Sequence, residues 1–528
     1  MINRRDFLGA AGALGVGAAG MSRAAGARTS AAVGATVDVL LNEPIGTIKP
    51  EIYSHFTEHI GGVIYDGIWV GEDSKVENIG GIRKKLVDHM HRLGKVVIRW
   101  PGGCFADSYH WRDGIGPRDK RPRRFGRWRE VTESNAFGTH EFMKFCRLCG
   151  DTPYFAANVG AGSPTEFQNW VEYCNGPAGS TTLADERVAN GDPDPFKIAY
   201  WGVGNESWGC GGKYTPEDYC KEYRKFTEWV PEYGVKLYLT AAGPNSNDLD
   251  WTRRFFAKWR DGAIAPLHGF AAHYYCGTTG HALKFDVDQW YEMLHKANYM
   301  ETLVREQWAV MGEFDREHKV KLVIDEWGAW HPAGTEINKA HLFEQMGCLR
   351  DALVAGLTLD VFNRHADKID MANVAQLINN IHSLFLADGD KFVCTPNFHV
   401  FEMYRAHHGA RSLKVVAEAP DVPFKIKGRD EKLFRVAGSA SSSDSKKVTI
   451  TLVHTHASEP VEVDVRLKGG EAASVGKVVL THKELNAHNT FEAPDVVTPK
   501  SAETDLKGGS FRVVLDPASI TRLDVTLA

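Results

Sequence analysis

The chain has 528 residues, too many for a single hydrophobic core, and its 43% hydrophobic and 24% charged content are those of a folded globular protein. A net charge of −5 gives no reason to expect nucleic acid or an anionic membrane surface as a partner. The aromatic supply is generous, with 14 Trp, 16 Tyr and 26 Phe, and aromatic faces serve sugar rings as well as cores.

The N-terminus, MINRRDFLGAAGALGVGAAG, places Arg4-Arg5 ahead of Phe7-Leu8 and a weakly apolar Ala/Gly run. This resembles a bacterial twin-arginine export signal and predicts a periplasmic or secreted protein, free of the membrane once the signal is removed. The nine cysteines are scattered, without the framework of a small disulfide scaffold, so reduced, buried thiols are the expectation. Cys146 and Cys149 form CxxC in a helical pattern with no second pair, which favours a core role over a metal site.

From about residue 48 to 395, short apolar runs alternate with helical patterns. The runs EIYSHF, KVVIRW, TPYFAANVG, KIAYWGVG, KLYLTAAG, GFAAHYY, KLVIDEW and, more weakly, DMANVAQL read as strands buried on both faces. SPTEFQNWVEYC carries a candidate capping box in Ser163 and Glu166, and TPEDYCKEYRKFTEWV opens with Thr215 as cap and Pro216 in the first turn. In the latter, Tyr219, Tyr223, Phe226 and Val230 fall on one face. Eight such units predict an α/β (β/α)8 TIM barrel. An open doubly wound sheet is disfavoured, because no GxGxxG or GxxxxGK[ST] follows a strand. After about 397 the period becomes two, as in KKVTITLVHTH and EPVEVDVRL, which predicts a C-terminal antiparallel β-sandwich. The chain thus divides into 1–34, signal and linker; 35–47, an N-terminal strand joining the sandwich; 48–396, the catalytic barrel; and 397–528, the C-terminal β-sandwich.

In such a barrel, side chains at the C-terminal ends of strands line the active site. Glu206, in WGVGNESWGCGG, ends the fourth candidate strand, and Asp325-Glu326, in KLVIDEWGAW, end the seventh. Two carboxylates facing one mouth are what glycoside hydrolysis needs. One protonates the leaving oxygen, and the other attacks the anomeric carbon or activates water. A separation of about 5–5.5 Å is the arrangement that retains configuration. Arg99, ending the second strand, reads equally well as a donor that keeps Glu326 ionised or as a structural barrel ion pair.

HFTEHIGGVIYDGIWVGEDS at 55–74, RWPGGCFADSYHWRDGIGPRDKRP at 99–122, GVGNES, HYY at 273–275, DEW and RHADKIDMANVAQLIN at 364–379 occur in this order. Together they resemble glycoside hydrolase family 51, the α-L-arabinofuranosidases. The resemblance implies Glu206 as general acid/base and Glu326 as nucleophile. It implies substrate contacts from Glu58, Cys104, Asn205, His273, Tyr275 and Gln376, with Trp128 and Trp330 walling the pocket and Tyr274 and Trp327 packing behind it. Cys104 stands where many members have Asn, and 209–212 departs from the more usual loop. The implied activity is retaining exo-hydrolysis of terminal α-L-arabinofuranosyl residues on plant-type oligo- or polysaccharides, as part of L-arabinose metabolism. An endo-β-glucanase or β-xylosidase on the same site, and a non-catalytic carbohydrate-binding barrel, remain as alternatives. No cofactor and no metal are implied, since the histidines lack a spacing such as HExxH. Relatives often form trimers or hexamers, which leaves a homo-oligomer open.

Overall fold

The computed structural model describes residues 33–128, 132–262, 265–277, 279–507 and 510–528. The Arg4-Arg5 segment lies outside them. The eight sequence runs become eight barrel strands: β1 (Ser54–Phe56), β2 (Val97–Trp100), β3 (Thr152–Ala157), β4 (Tyr200–Val203), β5 (Tyr238–Ala241), β6 (Gly269–Gly277), β7 (Lys321–Trp330) and β8 (Ile369–Ala375). All are parallel, each pairs with its sequence neighbour, and β8 closes on β1 through Asn373 opposite Ser54. The strands are hydrophobic almost throughout because helices cover the outside and the barrel fills itself.

The filling is layered. Val97, Tyr154, Val323 and Met371 form an apolar plug inside the barrel. Above it, Asp325 accepts hydrogen bonds from the Tyr154 hydroxyl (3.0 Å) and the Asn373 amide (3.1 Å), with Arg99 Nε 3.8 Å away. This polar layer is the floor of the mouth. Cys146 and Cys149 are free and buried in the helix Thr139–Cys149, as core residues.

Ser163 caps the helix Pro164–Asn175 by accepting from the Glu166 amide. The Glu166 side chain does not complete a capping box and pairs with His110 instead. Thr215 caps Pro216–Thr227, whose buried face holds Tyr219, Tyr223 and Phe226. Val230 lies past the end of that helix, packed half-buried against the core.

The C-terminal strands form a ten-stranded sheet. Val37, Val463 and Phe511 from one half share a core cluster with Ile450 and Leu523 from the other, so the sheet folds over onto itself as a sandwich. Its N-terminal strand, Val33–Thr47, runs antiparallel to Arg411–Glu418 and parallel to Val461–Lys468. The barrel helix Leu349–Arg364 is buried along its length between barrel and sandwich. Its Asp360 accepts from Ser439 (2.7 Å) and Thr451 (2.6 Å) of the sandwich, both on Oδ1, and these bonds offset part of the cost of burying the carboxyl group. Among the described residues, no helix is long and apolar enough to cross a membrane.

Candidate active site

Four strand ends deliver the central groups. Residue alternation along β6 turns His273 and Tyr275 into the mouth and Tyr274 out of it, where its hydroxyl donates to the Lys296 carbonyl at 2.7 Å. His273 lies opposite Glu326 in the β6–β7 register. Glu206 follows β4 by three residues and adopts φ +38°. Carboxylate oxygens of Glu206 and Glu326 and a ring nitrogen of His273 all lie within 4.8 Å of one another. His273 Nδ1 stands 3.1 Å from Glu206 Oε1 and 3.6 Å from Glu326 Oε2, bridging the pair.

The two carboxylates differ in their surroundings. Glu326 receives Arg99 Nη1 on Oε1 (2.9 Å) and the Tyr275 hydroxyl on Oε2 (2.8 Å). Burial pushes its carboxyl group up, but the charges of His273 and Arg99 and the hydrogen bonds from Arg99 and Tyr275 outweigh that, so the net direction is down. Glu206 has neither the Arg99 nor the Tyr275 donor, and its ring partner is His273. The Glu206 side chain is 19% exposed against 8% for Glu326, which leaves one of its faces open to a substrate. Arg99 serves both readings given to it, since Nη2 also donates to Asn205 Oδ1 at 2.7 Å while Nε faces Asp325. For His273, burial lowers the pKa, but the Glu326 charge and the hydrogen bond to Glu206 raise it on balance.

Closure of β8 on β1 brings Gln376 and Glu58 together at 3.4 Å. Glu58 accepts from the Phe105 amide at 2.8 Å. Burial and the neighbouring Glu326 charge push its carboxyl group up to about 8. That direction favours its neutral acid form, in which it can donate to a hydroxyl as well as accept. The glycines of the PGG run have a steric reason: a Cβ on Gly103 would sit 2.6 Å from Glu326 Oε1.

Trp330 packs edge-on against Tyr275, with ring centroids 5.2 Å apart. Trp327 is buried against Phe362 and Phe401, a packing residue. Trp128 lines a cavity of about 370 Å³ with His59, Tyr65, Phe105 and His341. In its wall, His59 and Tyr65 both pair with Glu133. That network had no sequence signal, because its members are scattered over 75 positions without a motif.

One expectation needs correction. Cys104 is not a thiol: it forms a disulfide with Cys210. Its sulfur lies 3.8 Å from Glu206 Oε2, and that of Cys210 lies 3.4 Å away, but neither carries a proton to donate. The general expectation of reduced thiols fails for this pair and holds for the seven other cysteines. The pairing arises because the turns after β2 and β4 meet at the rim, a proximity that spacing along the chain cannot reveal. Cys104 and the 209–212 loop each depart from the family pattern that the sequence resembles, and jointly they are the available signal.

A closed parallel barrel with two carboxylates of unlike surroundings at its strand ends is the frame of a glycoside hydrolase that acts with retention. Comparison with known proteins makes this particular. Residues 89–286 match the α-L-arabinofuranosidase 1 domain, and residues 325–519 match the α-L-arabinofuranosidase C-terminal domain. An intracellular exo-α-L-arabinofuranosidase of Bacteroides ovatus is 36% identical over 95% of this chain and 98% of that protein. An intracellular exo-α-(1→5)-L-arabinofuranosidase of Streptomyces lividans is 27% identical over 90% of this chain and 73% of that protein. The crystal structure of the family 51 arabinofuranosidase of Xanthomonas axonopodis pv. citri superposes with TM-score 0.89 at 36% identity, covering 94% of this chain and all of that one. The chain belongs to glycoside hydrolase family 51, the α-L-arabinofuranosidases.

The same relatives correct the expected location. Those of Bacteroides ovatus and Streptomyces lividans are both named intracellular, which points away from twin-arginine export to the periplasm or medium. An arginine pair before an Ala/Gly-rich run is a short compositional pattern, and such a pattern carries less weight than likeness along nearly the whole chain.

Proposed function

We propose that the chain is a retaining exo-α-L-arabinofuranosidase in which Glu326 is the nucleophile and Glu206 the acid/base. The observation that carries the assignment is the asymmetry across a gap of less than 4.8 Å: the cationic and hydroxyl donors Arg99 and Tyr275 converge on Glu326, and Glu206 lacks them. In the first displacement, a Glu326 oxygen attacks the anomeric carbon while Glu206 gives its proton to the departing glycosidic oxygen. In the second, Glu206 takes a proton from water, the water oxygen attacks the same carbon, and the Glu326 ester bond breaks. Asn205, fixed by Arg99, addresses the sugar 2-hydroxyl. Glu58 and Gln376 hold the other furanose hydroxyls. Trp128 and Trp330 wall the ring, and His273 keeps the two carboxylates in register. Arabinofuranosyl side chains of plant polysaccharides are the substrate class.

Two displacements restore the starting configuration. NMR spectra taken early in hydrolysis of an aryl α-L-arabinofuranoside should show the α-anomer first, before mutarotation. Added methanol should be glycosylated, because the ester intermediate can be intercepted. A β-anomer as first product would mean direct attack by water and would overturn the role given to Glu326.

A further inference from the structure

The turn that presents Glu206 is held by a residue outside the reacting centre. After β4 the chain passes through Gly204 at φ +91° into Asn205 and then Glu206 at φ +38°. Left-handed backbone is unfavourable for a side chain such as glutamate, so surrounding contacts must hold the turn in place. Within the turn, the Gly209 and Gly211 amides donate to the Glu206 carbonyl at 2.7 and 3.1 Å. From outside comes Asp107, in the short 3-10 turn Ala106–Ser108 and only 2% exposed. Its Oδ2 accepts from the Asn205 amide at 3.1 Å. Its Oδ1 accepts from the amides of Val159 (3.0 Å) and Gly160 (2.9 Å), past the end of β3. One carboxylate thus ties the ends of two neighbouring strands.

We infer that Asp107 is a positioning residue for the acid/base: it fastens the Asn205 backbone so that Glu206 meets the leaving oxygen. The inference rests on the acid/base role proposed for Glu206. Asp107 is buried and both its oxygens face main-chain amides rather than the mouth, so its influence runs through geometry. The site leaves little slack for a substitute. A Cβ on Gly211 would lie 1.8 Å from the Asn205 carbonyl oxygen and 2.6 Å from Asp107 Oδ2. Arg127 closes the same turn from the far side by donating to the Cys210 carbonyl at 3.0 Å. In Asp107→Asn the shape is kept, but an NH2 group replaces one acceptor. Either the Asn205 amide or the Val159–Gly160 pair then faces a donor.

The test uses a series of aryl α-L-arabinofuranosides whose leaving groups run from dinitrophenol to unsubstituted phenol. Protonation by Glu206 matters little for the first and greatly for the last. For Asp107→Asn, kcat/KM on the phenyl substrate should fall by about 10- to 100-fold, the cost of a small misplacement of a catalytic group. On the dinitrophenyl substrate it should stay within about threefold of the parent. Asp107→Glu should not rescue the loss, because its longer stem moves the acceptors. Gly211→Ala, whose added Cβ presses on the Asn205 carbonyl and on Asp107 Oδ2, should give the same dependence on leaving group, and it decides the matter if Asp107→Asn does not fold. Glu206→Ala is run alongside. A steep dependence in Glu206→Ala and in the Asp107 or Gly211 variant supports the inference. A steep dependence in Glu206→Ala with a flat response in both others, whether unchanged or uniformly weakened, overturns it and leaves the acid/base assignment standing. A flat Glu206→Ala series overturns the assignment and the inference together.

Discussion

Cys104 and Cys210 are covalently joined across 106 positions of sequence, and the bond lies against the Oε2 side of Glu206. It ties the turn after β2 to the turn after the acid/base, while Asp107, three residues on from Cys104, holds the Asn205 amide just before the acid/base.

The first prediction concerns this bond. Closing so long a loop removes conformations from the unfolded chain, which contributes about 2–4 kcal/mol for a typical bridge. Cys104→Ser with Cys210→Ser should therefore lower the denaturation midpoint clearly. Alkylation of the denatured but unreduced protein should modify seven cysteines by mass spectrometry, the number left free. Nine modified cysteines would show that the pair does not form.

The second prediction separates the glutamates. Glu326→Ala should lose about four orders of magnitude or more on every substrate, since no group is left to form the ester. Glu206→Ala should lose about 10²- to 10⁴-fold on substrates with poor leaving groups and far less on activated ones. Azide, which needs no base, should restore turnover of activated substrates by Glu206→Ala and give the α-configured glycosyl azide. Substantial hydrolysis by Glu326→Ala without an added nucleophile would remove it from the mechanism.

These residues also mark how far the sequence could be read. All eight barrel strands were legible, because a strand buried on both faces is a nearly unbroken apolar run. Glu206 and Glu326 were legible because they end such runs. The change to a period of two announced the sandwich. What stayed hidden depends on the closed barrel. Asp107 sits in a loop without periodicity, and its partners come from 52 to 98 positions away. The pairing of Cys104 with Cys210 and the network of His59, Tyr65 and Glu133 are likewise contacts between rim loops. Val230 shows the smaller failure, in which a helical pattern runs on past the point where the helix stops.

The third prediction is a pH dependence of stability. Burial pushes Glu58 and Asp151 up to about 8, from ordinary values of 4.5 and 3.8. In each, the folded state holds a proton that the unfolded chain releases. Their contribution is therefore full below the ordinary value and is lost as pH rises to the folded value, at up to about 1.4 kcal/mol per pH unit for each group. The buried imidazoles of His55 and His407 (about 3) and of His408 and His454 (about 4) act in the opposite sense, because burial lowers them from 6.5. Their contribution is present above 6.5 and is lost as pH falls toward 3–4. Above pH 6.5 these imidazoles no longer change, while the carboxyl groups still do and His273 and His341, raised above the ordinary value, act in the same sense, so the melting temperature should fall from there to about pH 8. Glu58→Gln, which mimics the neutral acid, should flatten that fall. A melting temperature that rises over the same interval would contradict these buried protonated carboxyl groups.

The last prediction follows from His273 lying between the two glutamates. Glu206, His273 and Glu326 offer three ligand atoms within 4.8 Å of one another, a set that suits zinc or copper even though the proposed chemistry uses no metal. A metal ion bound there would occupy both carboxylates and block the anomeric carbon, so added zinc or copper should inhibit competitively with substrate. Histidine ligates only when neutral, and the neighbouring carboxylates raise the His273 pKa on balance above its ordinary value, burial opposing them. Below that raised pKa the proton on His273 competes with the ion. Inhibition should therefore be weak in mild acid and tighten as pH rises through neutrality. His273→Asn should blunt both the inhibition and its pH dependence, and that readout is separate from whatever the substitution does to turnover. Dialysis against a chelator should leave the rate unchanged. Zinc inhibition that is insensitive to pH and survives in His273→Asn would place the ion elsewhere. A rate lost on chelation and restored by one divalent ion would require a metal in the reaction itself.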